Sequence, residues 1–74
     1  MEKIEFQIKI GLHIRKIRED KGFTAAELAR RCNMDKPNIH KLENGKFNPS
    51  VFYLSKICKG LEISLRDLFS GFNP

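Results

Sequence analysis

The stretch from Thr24 to Gly45 constrains the fold more than any other part of the sequence, because it carries the signals for two short helices joined by a tight turn. Thr24 is a good N-cap, and Glu27 three residues later completes a capping box. Asn33 is one of the few residues besides glycine that accept a left-handed backbone, so it is expected to end the first helix. Asp35 is expected to cap the second helix, which Gly45 ends.

The apolar residues of this stretch have the spacing of two helices packed against each other. Ala29 is small at the point where the second helix is expected to cross at close range, and Ile39 anchors that helix from its inner face. Pro37 is tolerable because it lies in the first helical turn, where no hydrogen-bonded amide is lost. The arrangement is the helix-turn-helix pattern. Its inward-facing residues are Leu28, Ala29, Cys32, Met34, Ile39 and Leu42.

The same stretch resembles the Cro and phage-repressor (XRE-like) type of helix-turn-helix family. The resemblance includes the upstream segment IGLHIRKIREDKGFT, the LENGK that follows the second helix of the motif, and the downstream segment PSVFYLSKICKGLEISLRDLF. It therefore covers roughly residues 10–69. The family resemblance implies an all-α fold of the lambda-repressor type, a compact five-helix domain with the helix-turn-helix at its centre.

A single domain is predicted over residues 1–74, with helices at about 6–21, 25–32, 36–44, 50–60 and 64–69 and a loose tail at 70–74. The first ten residues are ambiguous, because apolar residues alternate from Ile4 to Ile10 as in a strand, whereas a helical stripe runs from Phe6 to Ile17. We favour a helix from about Phe6, preceded by a short extended arm. The predicted core is Ile10, Ile14, Ile17, Leu28, Ala29, Met34, Ile39, Leu42, Val51, Leu54, Ile57, Leu61, Ile63, Leu68 and Phe69.

Composition narrows the classes of function. The 74 residues include 14 Lys and Arg against 9 Asp and Glu, a net charge of +5 and a mild basic excess that is compatible with a nucleic-acid partner. The sequence shows no signal peptide and no apolar run of membrane length, so we expect a cytoplasmic protein without membrane association. The two cysteines, far apart in the chain, are expected to be reduced core thiols.

No metal, cofactor or enzymatic activity is expected. Cys32, Cys58, His13 and His40 lack the spacing of metal ligands, and neither histidine has a nucleophile or carboxylate at a useful distance in the sequence. The five helices use nearly the whole chain, so we also expect no small-molecule effector domain. Switching would then come from protein concentration, a modification or a separate protein partner.

The family resemblance implies a partner, double-stranded DNA, and roles for particular residues. In such proteins the second helix of the motif enters the major groove and reads base edges. The matching candidates for base contacts are Lys36, Pro37, Asn38, His40 and Lys41, and those for phosphate contacts are Thr24, Asn44 and Lys46. Arg18 and Glu43 occupy the positions of an ion pair that sets the angle of the reading helix.

Two positions depart from the family pattern. Ala25 stands where a glutamine commonly braces the protein on a phosphate, and Asp35 is acidic where Ser or Thr is common. These departures keep a second interpretation open, a protein-interaction module of antitoxin type. The leading interpretation is a sequence-specific transcriptional regulator, a repressor or autoregulator that binds an inverted repeat as a homodimer.

The dimer interface is not decided by the sequence. Leu65, Phe69 and Phe72 near the carboxyl terminus are the first candidates. A surplus apolar row at Ile4, Ile8 and Leu12 is a possible addition to that interface, because surplus apolar surface on a small domain often marks a contact. The exposed side of the fourth helix, with Phe52 and Tyr53, is an alternative.

Overall fold

The protein is all-helical over residues 1–73, the part of the chain that the computed structural model describes. The helices are α1 (Lys3–Asp20), α2 (Ala25–Arg31), α3 (Lys36–Glu43), α4 (Val51–Leu61) and α5 (Leu65–Ser70). The α2–α3 pair is the helix-turn-helix, with α1 packed against α3, α4 against α2, and α5 against α4. The predicted fold class is confirmed, and the bounds of α2 to α5 lie within one residue of those predicted.

The start of α1 differs from the prediction. The helix begins at Lys3, so the predicted extended arm is wrong, and the first intrahelical bond runs from the Phe6 amide to the Glu2 carbonyl oxygen at 2.9 Å. The alternating apolar residues suggested an extended strand, but Ile4 and Ile8 both lie on the solvent side of a helix. The buried stripe of α1 passes instead through Gln7 and the positions three and four residues after it.

Local capping signals mark where the shorter helices begin and end. The predicted capping box of Thr24 with Glu27 is present, and Ser64 with Asp67 forms a second one; in both, the reciprocal side-chain and backbone bonds are made. Asn33 has a positive φ of 56° at the turn between α2 and α3. These signals act within four residues of the chain, which is why the sequence revealed them.

The core is centred between α1, α2, α3 and α4, and most of the predicted core residues are buried there. Val51 and Phe69 are exceptions, with 70% and 40% of their surface exposed. Val51 is the first residue of α4 and points outward from that turn, while Phe69 lies on the outer side of α5. Ile17, Met34 and Ile63 are only partly buried and pack at the edge of the core.

Close helix crossings occur at two glycines. A Cβ atom added at Gly11 would lie 2.8 Å from the carbonyl oxygen of Glu43, so α1 crosses the end of α3 at backbone contact. A Cβ atom added at Gly60 of α4 would lie closer still to the Sγ atom of Cys32. Cys32 and Cys58 are both free and buried, and burial raises the pKa of each thiol.

The carboxyl terminus is packed against α1 as far as Phe72, rather than forming the loose tail that was predicted. The Phe72 ring meets Phe6 edge-on at 5.7 Å between centroids, and the Nε2 atom of His13 lies 2.6 Å from the carbonyl oxygen of Leu68. His13 is therefore a structural link between α1 and α5. Pro74, the last residue of the predicted tail, lies outside the described residues.

Candidate nucleic-acid interface

Helix α3 has one buried and one open face. Ile39 and Leu42 are 0% and 1% exposed and anchor the helix in the core. The five residues named as candidates for base contacts are all exposed. They are Lys36, Pro37, Asn38, His40 and Lys41. The open face of α3 thus carries lysine, asparagine and histidine side chains together with the apolar ring of Pro37.

The amino end of α3 differs from the prediction. Asp35 occupies the N-cap position, but its carboxylate accepts no capping hydrogen bond. Pro37 has no amide hydrogen, and the Asn38 amide donates instead to the Asp35 carbonyl oxygen at 3.0 Å. The expected side-chain cap is therefore wrong, and an exposed carboxylate stands beside the open face of α3.

The carboxyl end of α3 is held by a buried ion pair with α1. Arg18 donates from Nε to Glu43 Oε2 at 2.7 Å and from Nη2 to Glu43 Oε1 at 3.0 Å. The two side chains are only 11% and 4% exposed. Nη1 of Arg18 also donates to the Phe23 carbonyl oxygen at 2.7 Å. The hydrogen bonds to Glu43 raise the pKa of the Arg18 guanidinium, so the guanidinium stays charged.

A second contact holds the loop after α3, and the sequence analysis missed it. Gln7 is buried, and its side-chain amide donates to the Gly45 carbonyl oxygen at 3.2 Å. A polar residue four positions before Gly11, on the inward stripe of α1, was the available signal. Through these two contacts α1 holds both the last turn of α3 and the loop that follows it.

The candidates for phosphate contacts lie at both ends of the helix-turn-helix. Asn44 and Lys46 are exposed in the loop after α3. Thr24 is exposed at the start of α2, but its amide donates to Glu27 Oε1 and its hydroxyl accepts from the Glu27 amide, both at 3.0 Å. Only the hydroxyl proton of Thr24 is left to donate. The bond that the Thr24 amide donates to the Glu27 carboxylate also lowers the pKa of Glu27, which keeps a negative charge at this end.

Ala25 is buried against the core, with 8% of its surface exposed. The burial gives a packing reason for a small residue at the position where a glutamine is common in similar proteins. The position therefore presents no polar side chain to a phosphate.

The candidate dimer surfaces differ in exposure. Leu65 and Phe72 are half-buried, while Phe69 is 40% exposed with its ring 6.3 Å from that of Phe72. On α4, Phe52 is 74% exposed, but Tyr53 is half-buried with its ring 5.0 Å from that of Phe47. Tyr53 was expected on the exposed side of its helix, and this expectation is wrong.

A metal site and a membrane-spanning helix are both absent from residues 1–73. No cluster of histidine, cysteine, aspartate or glutamate side chains has an arrangement able to bind a metal ion within this range. No helix of the described part of the chain combines the length and apolar character needed to span a bilayer.

The five-helix fold and the open face of α3 define the class of protein as a helix-turn-helix protein. The helix-turn-helix family model HTH_3 matches residues 14–68, and the chain belongs to this family. The resemblance to the XRE-like type is confirmed.

Similar proteins include regulators and controller proteins. The chain is 36% identical over 67 residues to the control protein C.MunI of Mycoplasma sp, which covers 89% of this chain and 90% of C.MunI. It is 39% identical over 63 residues to the HTH-type transcriptional regulator SlrR of Bacillus subtilis (strain 168), but spans only 41% of that protein.

Solved structures show the same fold. The wild-type restriction-modification controller protein C.Esp1396I superposes with a TM-score of 0.83 at 35% identity, covering 89% of this chain and 86% of that one. The same controller protein has been solved as a tetramer in complex with its natural 35 base-pair operator, with a TM-score of 0.82 at 36% identity, covering 86% and 84% of the two chains.

Proposed function

We propose that the chain is a sequence-specific DNA-binding transcriptional regulator, a repressor or autoregulator that binds an inverted repeat as a homodimer. The observation that carries the proposal is the one-sided α3, whose anchors are buried while Lys36, Lys41 and their neighbours are open. Membership of the helix-turn-helix family supports it, as do the similarities to the control protein C.MunI and the operator-bound C.Esp1396I.

In the proposed complex, α3 lies in the major groove. Lys36 and Lys41 donate to the O6 and N7 atoms of guanine, which are acceptors that lysine and arginine commonly read. His40 and Asn38 donate or accept at neighbouring bases, and Pro37 packs against a thymine methyl group. The Asp35 carboxylate lies at the same end and opposes the approach of phosphates.

Phosphate contacts position the reading helix. Asn44 and Lys46 bind the backbone from the loop after α3, and the Thr24 hydroxyl donates from the start of α2. The Arg18–Glu43 pair and the bond from Gln7 to Gly45 support this role, because they hold the helix and loop in one geometry before DNA binds. A preorganised surface loses less conformational freedom on binding.

A homodimer follows from the need for specificity. One small domain reads few base pairs, each worth roughly 1–3 kcal/mol, against about a million or more competing genomic sites. Two copies on an inverted repeat double the number of base pairs read, with half-sites about one helical turn apart. The proposed interface is the surface of Leu65, Phe69 and Phe72.

The proposed regulator acts without catalysis, without a cofactor and without a small-molecule effector bound by this domain. Because its proposed partner is DNA, the regulator acts in the cytoplasm. The alternative, an antitoxin-type module that binds mainly a protein partner, is favoured by one observation, the exposed Asp35 carboxylate at the end of α3 that would face DNA.

Selection of bound duplexes from a random library, by the purified protein at near-physiological salt, tests the proposed function. Enrichment of an inverted repeat is the expected result, and its spacing would give the geometry of the dimer. No enriched sequence, or binding that simply vanishes as salt is raised, would refute specific recognition.

A further inference from the structure

Helix α1 carries an apolar row on its solvent side. The row consists of Ile4, Ile8 and Leu12, which are 68%, 46% and 55% exposed. Residues four positions apart lie on one face of a helix, so the three side chains form a continuous strip about 12 Å long. The core of the domain is supplied by the opposite face of α1, so much of the apolar surface of the row has no partner within the fold.

The charges beside the row are balanced. From Glu2 to Asp20, leaving out the buried Arg18, α1 carries four basic and four acidic residues. They are Lys3, Lys9, Arg15 and Lys16, and Glu2, Glu5, Glu19 and Asp20. With Arg18 included the segment carries +1, so +4 of the net charge of +5 lies elsewhere in the chain. A neutral face with an apolar strip fits another neutral face better than it fits DNA or an acidic partner.

Three ion pairs within the helix reinforce this neutrality. Lys9 pairs with Glu5 at 3.5 Å, Arg15 with Glu19 at 3.3 Å and Lys16 with Asp20 at 3.6 Å. Six of the eight charges thus have a partner on the same helix, so two copies of the face can approach each other while these six charges stay paired. The face is thus self-complementary in charge as well as apolar.

The row also lies beside the proposed DNA-binding loop. A Cβ atom added at Gly45 would meet the Cα atom of Ile8 at 2.8 Å, so the middle of the row touches the loop that holds Asn44 and Lys46. The row therefore flanks the surface that would face DNA. A copy bound at a neighbouring site along the duplex would approach from the side.

From these observations we infer that the apolar row is a contact between two copies of this chain that belong to different dimers bound side by side on DNA. The inference rests on the proposed function. In an antiparallel pairing with its two-fold axis at Ile8, each Ile4 packs on Leu12 of the other copy. The row covers roughly 300 Å² per copy, well below the about 800 Å² per partner of a stable interface. It therefore joins copies that DNA already holds close together.

Cysteine cross-linking tests the pairing geometry. In Ile8→Cys the two new thiols meet at the two-fold axis, and mild oxidation on a duplex with two adjacent selected sites should give a covalent dimer. Lys16→Cys is the matched control, because its side chain is 76% exposed on the same helix but the two copies lie roughly 24 Å apart in this pairing. The wild-type protein, with Cys32 and Cys58 buried, should not cross-link.

Cooperativity of binding provides the second readout. In Ile4→Gln/Leu12→Gln, affinity for a single site should stay unchanged, while cooperativity between two adjacent sites should fall about tenfold. Phe52→Gln, which changes an apolar residue of α4 that is 74% exposed, serves as the control and should leave cooperativity intact. Thermal unfolding of the variants shows whether the fold is kept.

The outcomes separate this inference from the proposed function. Unchanged cooperativity together with no cross-link at Ile8→Cys would overturn the inference while leaving single-site DNA binding in place. Loss of single-site binding by a folded Ile4→Gln/Leu12→Gln would assign the row to the primary dimer or to DNA, which also overturns it. If the wild-type protein selects no duplex, the proposed function fails. The inferred side-by-side contact then fails with it, because the row is too small to join copies that DNA does not hold together.

Discussion

At the scale of single residues, the geometry of α3 depends on charged groups that are either fully paired or fully open. Glu43 is 4% exposed and bonded through both oxygens to Arg18, while Asp35, at the other end of the helix, has an exposed carboxylate without a capping bond. A buried pair contributes through its geometry, since removing one partner leaves the other charge uncompensated. The exposed carboxylate acts only through its charge.

Glu43→Ala should destabilise the domain by about 3–5 kcal/mol, because Arg18 would be left buried without its partner. For a chain of this size, that is a large share of a total stability of roughly 4–11 kcal/mol. DNA binding should weaken as well, although Glu43 touches no DNA in the proposed complex. Urea unfolding followed by circular dichroism measures the loss.

Glu19→Ala is the matched control for Glu43→Ala. It breaks the exposed ion pair between Arg15 and Glu19, which both lie on α1. Their side chains are 50% and 55% exposed. The expected cost is about 0.5 kcal/mol or less. Equal unfolding midpoints for the two variants would contradict a structural role of the buried pair.

Asp35→Asn should strengthen DNA binding, by roughly two- to tenfold at low salt, because it removes a negative charge from the end of α3 that faces phosphates. Stability should change by less than about 0.5 kcal/mol, since the carboxylate makes no capping bond. Titrations of a selected duplex at two salt concentrations measure the gain, which should shrink as salt rises. Glu62→Gln, an exposed acidic residue after α4, should have no such effect, and equal gains in both variants would point to net charge alone.

At the scale of elements, the two faces of α3 have different roles, since one anchors the helix in the core and the other is open. Helix α1 links α3 to the rest of the molecule. The inner face is closed by Ile39 and Leu42, and the crossing at Gly11 lets the backbone of α1 reach the last turn of α3. Because the anchors and the open residues alternate along one helix, substitutions on the open face should change recognition without changing the fold.

Lys36→Ala and Lys41→Ala should each weaken specific binding by about 1–3 kcal/mol and relax the base preference at one position of the site. Lys46→Ala should weaken binding to all sequences and reduce the salt dependence by about one counterion. Lys59→Ala, an exposed lysine on α4, is the control for lost charge and should have little effect. If a partner protein is still bound and regulation survives both α3 changes, the DNA-reading role of α3 is wrong and the antitoxin-type alternative gains support.

At the scale of the whole molecule, the proposed regulator needs two copies, and the domain offers apolar surface at separate places. The cluster of Leu65, Phe69 and Phe72 lies where α5 and the carboxyl terminus meet α1, and Phe52 lies on α4. The apolar row of α1 is a further surface of this kind. Each surface predicts a different geometry of assembly, so single substitutions distinguish them.

Phe69→Ser should shift the protein from dimer to monomer in sedimentation measurements. Affinity for an inverted repeat should fall at least about tenfold, because each copy then binds its half-site alone. The fold should be kept, since Phe69 is 40% exposed. Phe52→Ser is the paired variant, and a monomer formed by Phe52→Ser rather than Phe69→Ser would move the interface to α4.

The sequence by itself determined the features that depend on neighbours within about four residues. The capping boxes at Thr24 and Ser64, the left-handed turn at Asn33 and the inward stripe of the helix-turn-helix are local, because a cap or a helical face is complete within one turn. Together with the resemblance to the helix-turn-helix family, these signals were sufficient for the fold class and for the helix that presents the candidate base-reading residues.

Only the tertiary structure decided the features that depend on distant partners. Helix α1 extends to Lys3, where Gln7 and the residues beside it reach the loop after α3 and the carboxyl terminus, while Phe69 is left at the surface. The missing cap at Asp35 is a local exception, because Pro37 has no amide hydrogen and the Asn38 amide donates to the Asp35 carbonyl oxygen, both within the first turn. A residue's burial and hydrogen bonds are set by whichever chain segment arrives beside it, and that information is absent from the spacing of residues along one helix.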